Sequence, residues 1–242
     1  MRTRELPPPL PPGERTVGQV IAETIRNYGD RFWRVLPLGI PVAIVDQLSV
    51  REHPGIQMLV WWAATPLFVA AYLYACSLVL DARPNRTAIA LAVLIYLPFP
   101  ALRALFILPG IAWFALIGLA VPAAMVEGLR FRDALVRGRQ LAVADYAHAL
   151  GSLAALVLVV GIAANTLSAL LHSQGDNGQR LASALSDLVL SPMLFLGAAL
   201  LYLDQSARVG SDASDRRRRR DAHFHPPVDA DAAGRHDAQV EP

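Results

Sequence analysis

The sequence predicts an all-α, polytopic membrane helix bundle, with about six transmembrane helices at roughly 20 residues each and two cytoplasmic amphipathic helices. Three observations predict it. Of 242 residues, 54% are hydrophobic and only 17% are charged, where a soluble domain carries roughly a quarter charged residues. The charges cluster between long apolar runs, which is the membrane signature, and mean hydropathy is +0.38. The arginines also fall almost entirely on alternate loops.

The elements follow in order. Residues 1–15 contain Pro7-Pro8-Pro9-Leu10-Pro11-Pro12 and read as a disordered, proline-rich linker with extended polyproline character. Residues 16–31 predict an amphipathic helix: Thr16 and Gln19 fit a capping box, and Val17, Val20, Ile21, Ile25, Tyr28 and Phe32 recur at helical spacing. It suits either the membrane surface or a cytoplasmic loop. The membrane domain covers 16–203. Its spans are 32–50, with Pro37 and Pro41; 56–80, with Trp61 and Trp62 as interface anchors; 87–106; 109–126; 147–171; and 181–203, with Pro192. The run 87–126 is too long for one span, and Leu108-Pro109-Gly110 is its natural break. A second cytoplasmic helix is predicted near 130–146. Residues 204–242 read by composition as a disordered, arginine-rich cytoplasmic tail.

Arginine placement sets the orientation. One side receives Arg2, Arg4, Arg15, Arg26, Arg31 and Arg34, then Arg83 and Arg86, then Arg130, Arg132, Arg137 and Arg139, then Arg208, Arg216 to Arg220, and Arg235. The other side keeps only Arg51 and Arg180. Both termini are therefore predicted in the cytoplasm of a multi-pass cell-membrane protein. The first 30 residues lack the apolar core of a cleavable signal, so the first span is expected to serve as an uncleaved anchor.

Chemistry-bearing motifs are few. There is no His-Glu-x-x-His, no glycine-rich phosphate loop and no Gly-x-Ser-x-Gly elbow. No catalytic, cofactor or metal residues are assigned, and no enzyme activity is expected; His223, His225 and His236 lack metal-site spacing. Cys76 is the single cysteine, which excludes an intrachain disulfide. All 22 basic residues are arginine. Codon bias in a GC-rich genome explains this first, and phosphate or carboxylate recognition second. Arg216, Arg217, Arg218, Arg219 and Arg220 form a block that reads as a solvated run, partly neutralised by Asp212, Asp215 and Asp221. Its sharper reading is contact with anionic lipid headgroups. Nucleic acid is not expected as a partner, since no folded reader accompanies the block.

Three charges lie inside the spans: Asp46, Arg103 and Asp187. At 1.5 Å per residue each sits roughly 7–10 Å to the outer side of its span's midpoint. A lone charge at mid-membrane costs on the order of 2.5–3.5 kcal/mol, so such residues pair or face water. The expectation is that Arg103 pairs with Asp46, Asp187 or both. Glu127, at the end of the fourth span near Arg130 and Arg132, is expected to form a structural ion pair or cap.

The segment 108–146 reads Leu108-Pro109-Gly110, then Val121-Pro122-Ala123-Ala124-Met125-Val126-Glu127-Gly128, then Ala134-Leu135-Val136-Arg137-Gly138-Arg139-Gln140-Leu141. It resembles a broad bacterial family, the membrane domain found fused to glycerophosphodiester phosphodiesterases, in which Ser is usual where Gly138 stands. Asn27-Tyr28-Gly29-Asp30-Arg31-Phe32-Trp33 resembles the entry to that family's first span, and Leu201-Tyr202-Leu203-Asp204-Gln205-Ser206-Ala207-Arg208 its exit after the last. The resemblance covers about 17–208. It implies six spans and a cytoplasmic helix. It implies no catalysis, because the phosphodiesterase domain is absent from this sequence. The functional expectation is a non-catalytic membrane module that organises lipid or an unidentified membrane partner at the cytoplasmic face; the alternative is a small transporter or permease subunit.

Overall fold

The computed structural model describes residues 11–105, 107–170 and 175–224, without the side chains of 103–105, 175–176 and 212–224. All regular structure among the described residues is helical: α1 (Val17–Asp30), α2 (Phe32–Val35), a 3-10 turn (Leu36–Gly39), α3 (Ile40–Ser49), α4 (Pro54–Ala63), α5 (Thr65–Leu80), α6 (Arg86–Tyr96), α7 (Phe99–Leu105), α8 (Ile107–Ile117), α9 (Ala120–Glu127), α10 (Phe131–Ala144), α11 (Tyr146–Leu170), α12 (Gly175–Leu190) and α13 (Pro192–Phe224).

Among the described residues, three helical stretches are long and apolar enough to cross a membrane: α8–α9 as Ile107–Glu127, α11 as Tyr146–Leu170, and α12–α13 as Asn177–Ser211. The pair α4–α5 makes a fourth if its 47° bend lies within one span. The surface fits such a medium. Only 11% of the apolar stretch of α11 is buried, and its Leu158, Ile162 and Leu170 are 62%, 58% and 73% exposed. On α3 the exposed residues Ile40, Ile44 and Leu48 form an i, i+4, i+8 stripe. Such continuous apolar faces mark contact with lipid.

The predicted first and third spans are each broken. Residues 32–50 become α2, the 3-10 turn and the ten-residue α3; α6–α7 forms a shorter apolar helix, Arg86–Leu102. Proline is the cause. It lacks an N–H and clashes with the preceding turn, but it is tolerated where the first-turn N–H groups are free anyway. Pro41 and Pro66 stand second in α3 and α5, Pro100 second in α7, Pro109 and Pro122 third in α8 and α9, and Pro192 first in α13. Each proline thus starts a new segment. For the same reason the chain does not break at Pro109-Gly110: both lie in the first turns of α8.

The boundary predicted at 203 also moves. α13 continues to Phe224, and Asp204 and Arg208 form an i, i+4 ion pair just past its predicted end. The described part of the predicted tail is therefore helical. Arg216 to Arg220 lie on this helix with their side chains outside the described residues.

Both predicted amphipathic helices form. Thr16 and Gln19 make the expected capping box on α1. The helix packs on α11 and α13, with Val20 and Thr24 buried. α10 buries Ala134, Gly138, Leu141 and Ala142 against α9, α8 and α13. A Cβ on Gly138 would lie 2.5 Å from the Ala120 nitrogen and 2.6 Å from its Cα. Gly39 is tighter still: a Cβ there would run into the Leu188 carbonyl oxygen. The approach of Ala120 leaves no room for a side chain at Gly138 on α10. Gly138→Ser is expected to destabilise the protein by about 1–3 kcal/mol through overpacking, read as a lower thermal midpoint in detergent; an unchanged midpoint would refute the close approach.

Candidate functional site

The densest polar assembly joins α11, α13 and the segment before α1. Asp204 is fully buried on α13. Its Oδ2 receives Arg208 Nε at 3.0 Å and His148 Nε2 at 2.9 Å, and its Oδ1 accepts the Gly13 N–H at 3.0 Å. Arg208 reaches further. One terminal nitrogen donates to Asp145 Oδ2 at 3.0 Å; the other donates to the Arg15 carbonyl at 2.6 Å and lies 3.3 Å from His148 Nε2. Asp145 also accepts the His148 N–H at 3.1 Å, and Gln205 Nε2 donates to the Asp145 carbonyl at 3.3 Å. A buried carboxylate is stable only when paired and hydrogen-bonded; here a guanidinium, an imidazole and a backbone N–H share the work.

A second cluster sits nearby on α13. Arg137 Nε on α10 lies 3.0 and 3.1 Å from the two oxygens of Glu127, and the Tyr202 hydroxyl donates to Glu127 Oε1 at 3.1 Å. Glu127 ends α9, where carbonyl dipoles disfavour a negative charge, and Gly128 turns the chain at φ +65°. The expected ion pair of Glu127 is made with Arg137.

Inside the bundle is a half-open cavity of about 270 Å³. Its wall includes Val42, Trp61, Phe68, Tyr96, Phe99, Phe114, Leu153, Leu156, Phe195 and Ala198. Trp61 and Phe68 stack with centroids 5.2 Å apart and planes 6° apart, and Phe68 continues to Tyr96 at 6.0 Å and Phe195 at 6.5 Å. Trp61 is thus a cavity-wall residue, where the sequence suggested an interface anchor. Trp62 donates its indole N–H to the Leu97 carbonyl at 3.1 Å.

A polar pocket of about 310 Å³ lies at the far end of α11 from His148. Asp46, Gln47, Arg51, Ser168, Gln179, Arg180 and Ser183 line it. The Ser183 hydroxyl donates to Asp46 Oδ2 at 2.7 Å, and Gln47 Nε2 donates to the Arg180 carbonyl at 3.2 Å. Arg51 and Arg180, the two arginines that the orientation argument sets apart from the others, meet here. Of the three predicted intramembrane charges, Asp46 is in this pocket, and Asp187 lies one turn beyond Ser183 on α12. The Asp187 carbonyl accepts the Ser191 hydroxyl at 2.5 Å. The side chain of Arg103, and with it the expected pairing, lies outside the described residues.

The sequence reading missed Asp145, His148 and Gln205. One signal was available: Asp204 and Arg208 stand four apart at a span exit, which on a helix places them together. No protein-family model matches this chain, and neither a curated protein nor a solved structure matches it.

The Asp204 cluster predicts a mutational effect. Arg208→Met keeps the side-chain length but leaves Asp204 buried beside only His148 and Gly13. A loss of about 3–5 kcal/mol is expected, together with faster tryptic cleavage at Arg15 as the Gly13–Arg15 segment is released. A stability change without new cleavage at Arg15 would show that Arg208 does not hold that segment.

Proposed function

We propose that the chain is a non-catalytic membrane module, crossing the bilayer six times with both termini cytoplasmic, that presents a fixed surface to a partner or to lipid at the cytoplasmic face. The observation that carries this reading is the Asp204–Arg208–His148–Asp145 cluster, which binds the pre-α1 segment to two membrane helices. A solvated linker would need no such tie. The cluster, α1 and α10 together make a rigid layer at the end where most arginines fall. The six-crossing count is supported by the cavity, whose wall takes at least one residue from each predicted span, Val42 and Phe99 among them. In the same reading Arg103 balances Asp46, Asp187 or both, and the resemblance to the phosphodiesterase-associated membrane domain describes an ancestry of architecture without its chemistry.

The second reading, a small transporter subunit, draws on the polar pocket at Asp46 and the broken first span, since interrupted helices build transport sites. Against it stands the wall of the central cavity, which is overwhelmingly apolar.

Topology is tested with reporters fused after Gly175 and after Ser211. The first is expected outside and the second inside, and both on one side would end the six-crossing proposal. The tail is tested separately. Replacing Arg216 to Arg220 by Gln should weaken recruitment of the C-terminal helix to anionic nanodiscs by about 1 kcal/mol per arginine near the surface, read by protease protection. Equal protection in neutral and anionic bilayers would remove lipid contact from the reading.

A further inference from the structure

The apolar cavity and the polar pocket are lined from the same two helices, α3 and α11. Val42 lines the first and Asp46 the second. Four residues apart, they share one face of α3 with about 6 Å of rise between them. On α11, Val157 and Ser168 repeat the relation over about 16 Å, three turns along one face. The polar pocket lies where α3 and α11 end and α12 begins, which places it toward the membrane surface with the cavity deeper. We propose that the two together bind a single phospholipid: an acyl chain in the aromatic-walled cavity and the phosphate headgroup against Arg51 and Arg180.

Water does not suit the cavity, because an ordered water needs two to four polar partners and the wall is apolar. At about 270 Å³ the space is nearly twice the roughly 150 Å³ of an apolar cavity that takes up benzene. Its lip reaches the bundle surface at Ile107, which is 52% exposed, so the hydrocarbon around the bundle has a way in. The stacked rings of Trp61, Phe68 and Phe195 hold the wall before any ligand arrives, which lowers the ordering cost of binding. Charge selects the headgroup. Among the described residues the pocket is lined by two guanidiniums and one carboxylate, Asp46, which accepts the Ser183 hydroxyl at 2.7 Å. Guanidiniums suit phosphate oxygens because their donors form a planar fork.

The inference rests on membrane insertion and not on which side the termini face. Its test uses the full chain purified in mild detergent. A single phospholipid per chain is expected to survive exhaustive detergent exchange, counted by phosphorus analysis and mass spectrometry. Ala198→Phe, which sets a ring into the cavity, should lower retention by roughly tenfold. Arg180→Glu should lower phospholipid retention but leave a diacylglycerol with the same chains bound. If Ala198→Phe fails to fold, single-tryptophan variants decide. Phospholipid with brominated chains should quench Trp61 at equimolar lipid, and Trp62, 42% exposed, only in proportion to bulk lipid. Parallel quenching of both tryptophans, or equal retention in Ala198→Phe, would mean annular lipid only and overturn the proposal. Displacement of the phospholipid by inorganic phosphate would overturn it too, and assign the pocket to the free anion. The reporters at Gly175 and Ser211 read independently of all these outcomes, so a failed topology and a failed lipid site cannot be confused.

Discussion

The arrangement depends on one buried carboxylate. Asp204 has no exposed surface, and a charge so placed must gather its partners or neutralise. It gathers Arg208 from its own helix, His148 from α11 and a backbone N–H from the segment before α1. α13, which carries it, packs against α1, α5, α10 and α11. Fixing the level of Asp204 therefore fixes the level of four neighbours. Hydrophobic burial cannot do this within a bilayer, since lipid tails are as apolar as leucine; small residues and polar ties set helix positions instead. Gly197 shows both at once: a Cβ there would overlap Leu156 of α11 and approach Thr24 of α1 at 3.3 Å.

Much of this was legible in the sequence, for a definite reason. Apolar length is a one-dimensional signal, and the stretches at 54–80, 107–127, 146–170 and 177–211 match the predicted spans within a few residues, apart from the extension of the last. The first and third spans were harder to read. Their composition is mostly apolar, and the break depends on where each proline falls within a helical turn, which a hydropathy window averages away. The extension of α13 past 203 was hidden by its polar composition, although Asp204 and Arg208 at i, i+4 signal a continuing helix.

The polar sites divide in the same way. Asp46 was visible because a carboxylate inside an apolar run is conspicuous. Its partner Ser183 was not, being one of many serines and 137 residues away. The lock at Asp204 was nearly invisible, since Asp145 falls at the end of the predicted cytoplasmic helix and His148 at the start of the fifth predicted span, and neither position points to the other. Their role comes from a turn that places them 63 and about 60 residues from Arg208 in sequence yet within hydrogen-bonding distance of it. Charges within spans can be read singly; networks that close across spans require the fold.

The same helices carry the lock, the cavity and the polar pocket. On α11 the order is His148, then Leu153, Leu156 and Val157, then Ser168. On α13, Phe195 and Ala198 precede Tyr202, Asp204 and Arg208. The cavity wall on these two helices begins within about 7–9 Å of the lock, at 1.5 Å of rise per residue. The separation of α11 and α13 at the cavity is therefore set from one side by charge-assisted bonds at 2.9–3.0 Å between His148, Arg208 and Asp204. From within it is set by Gly197, which lets Leu156 come close. Two apolar helices held this firmly at one end cannot collapse onto each other at the next turns without straining those bonds. The cavity persists beside a tightly packed glycine contact because the polar lock fixes the spacing that packing alone would close.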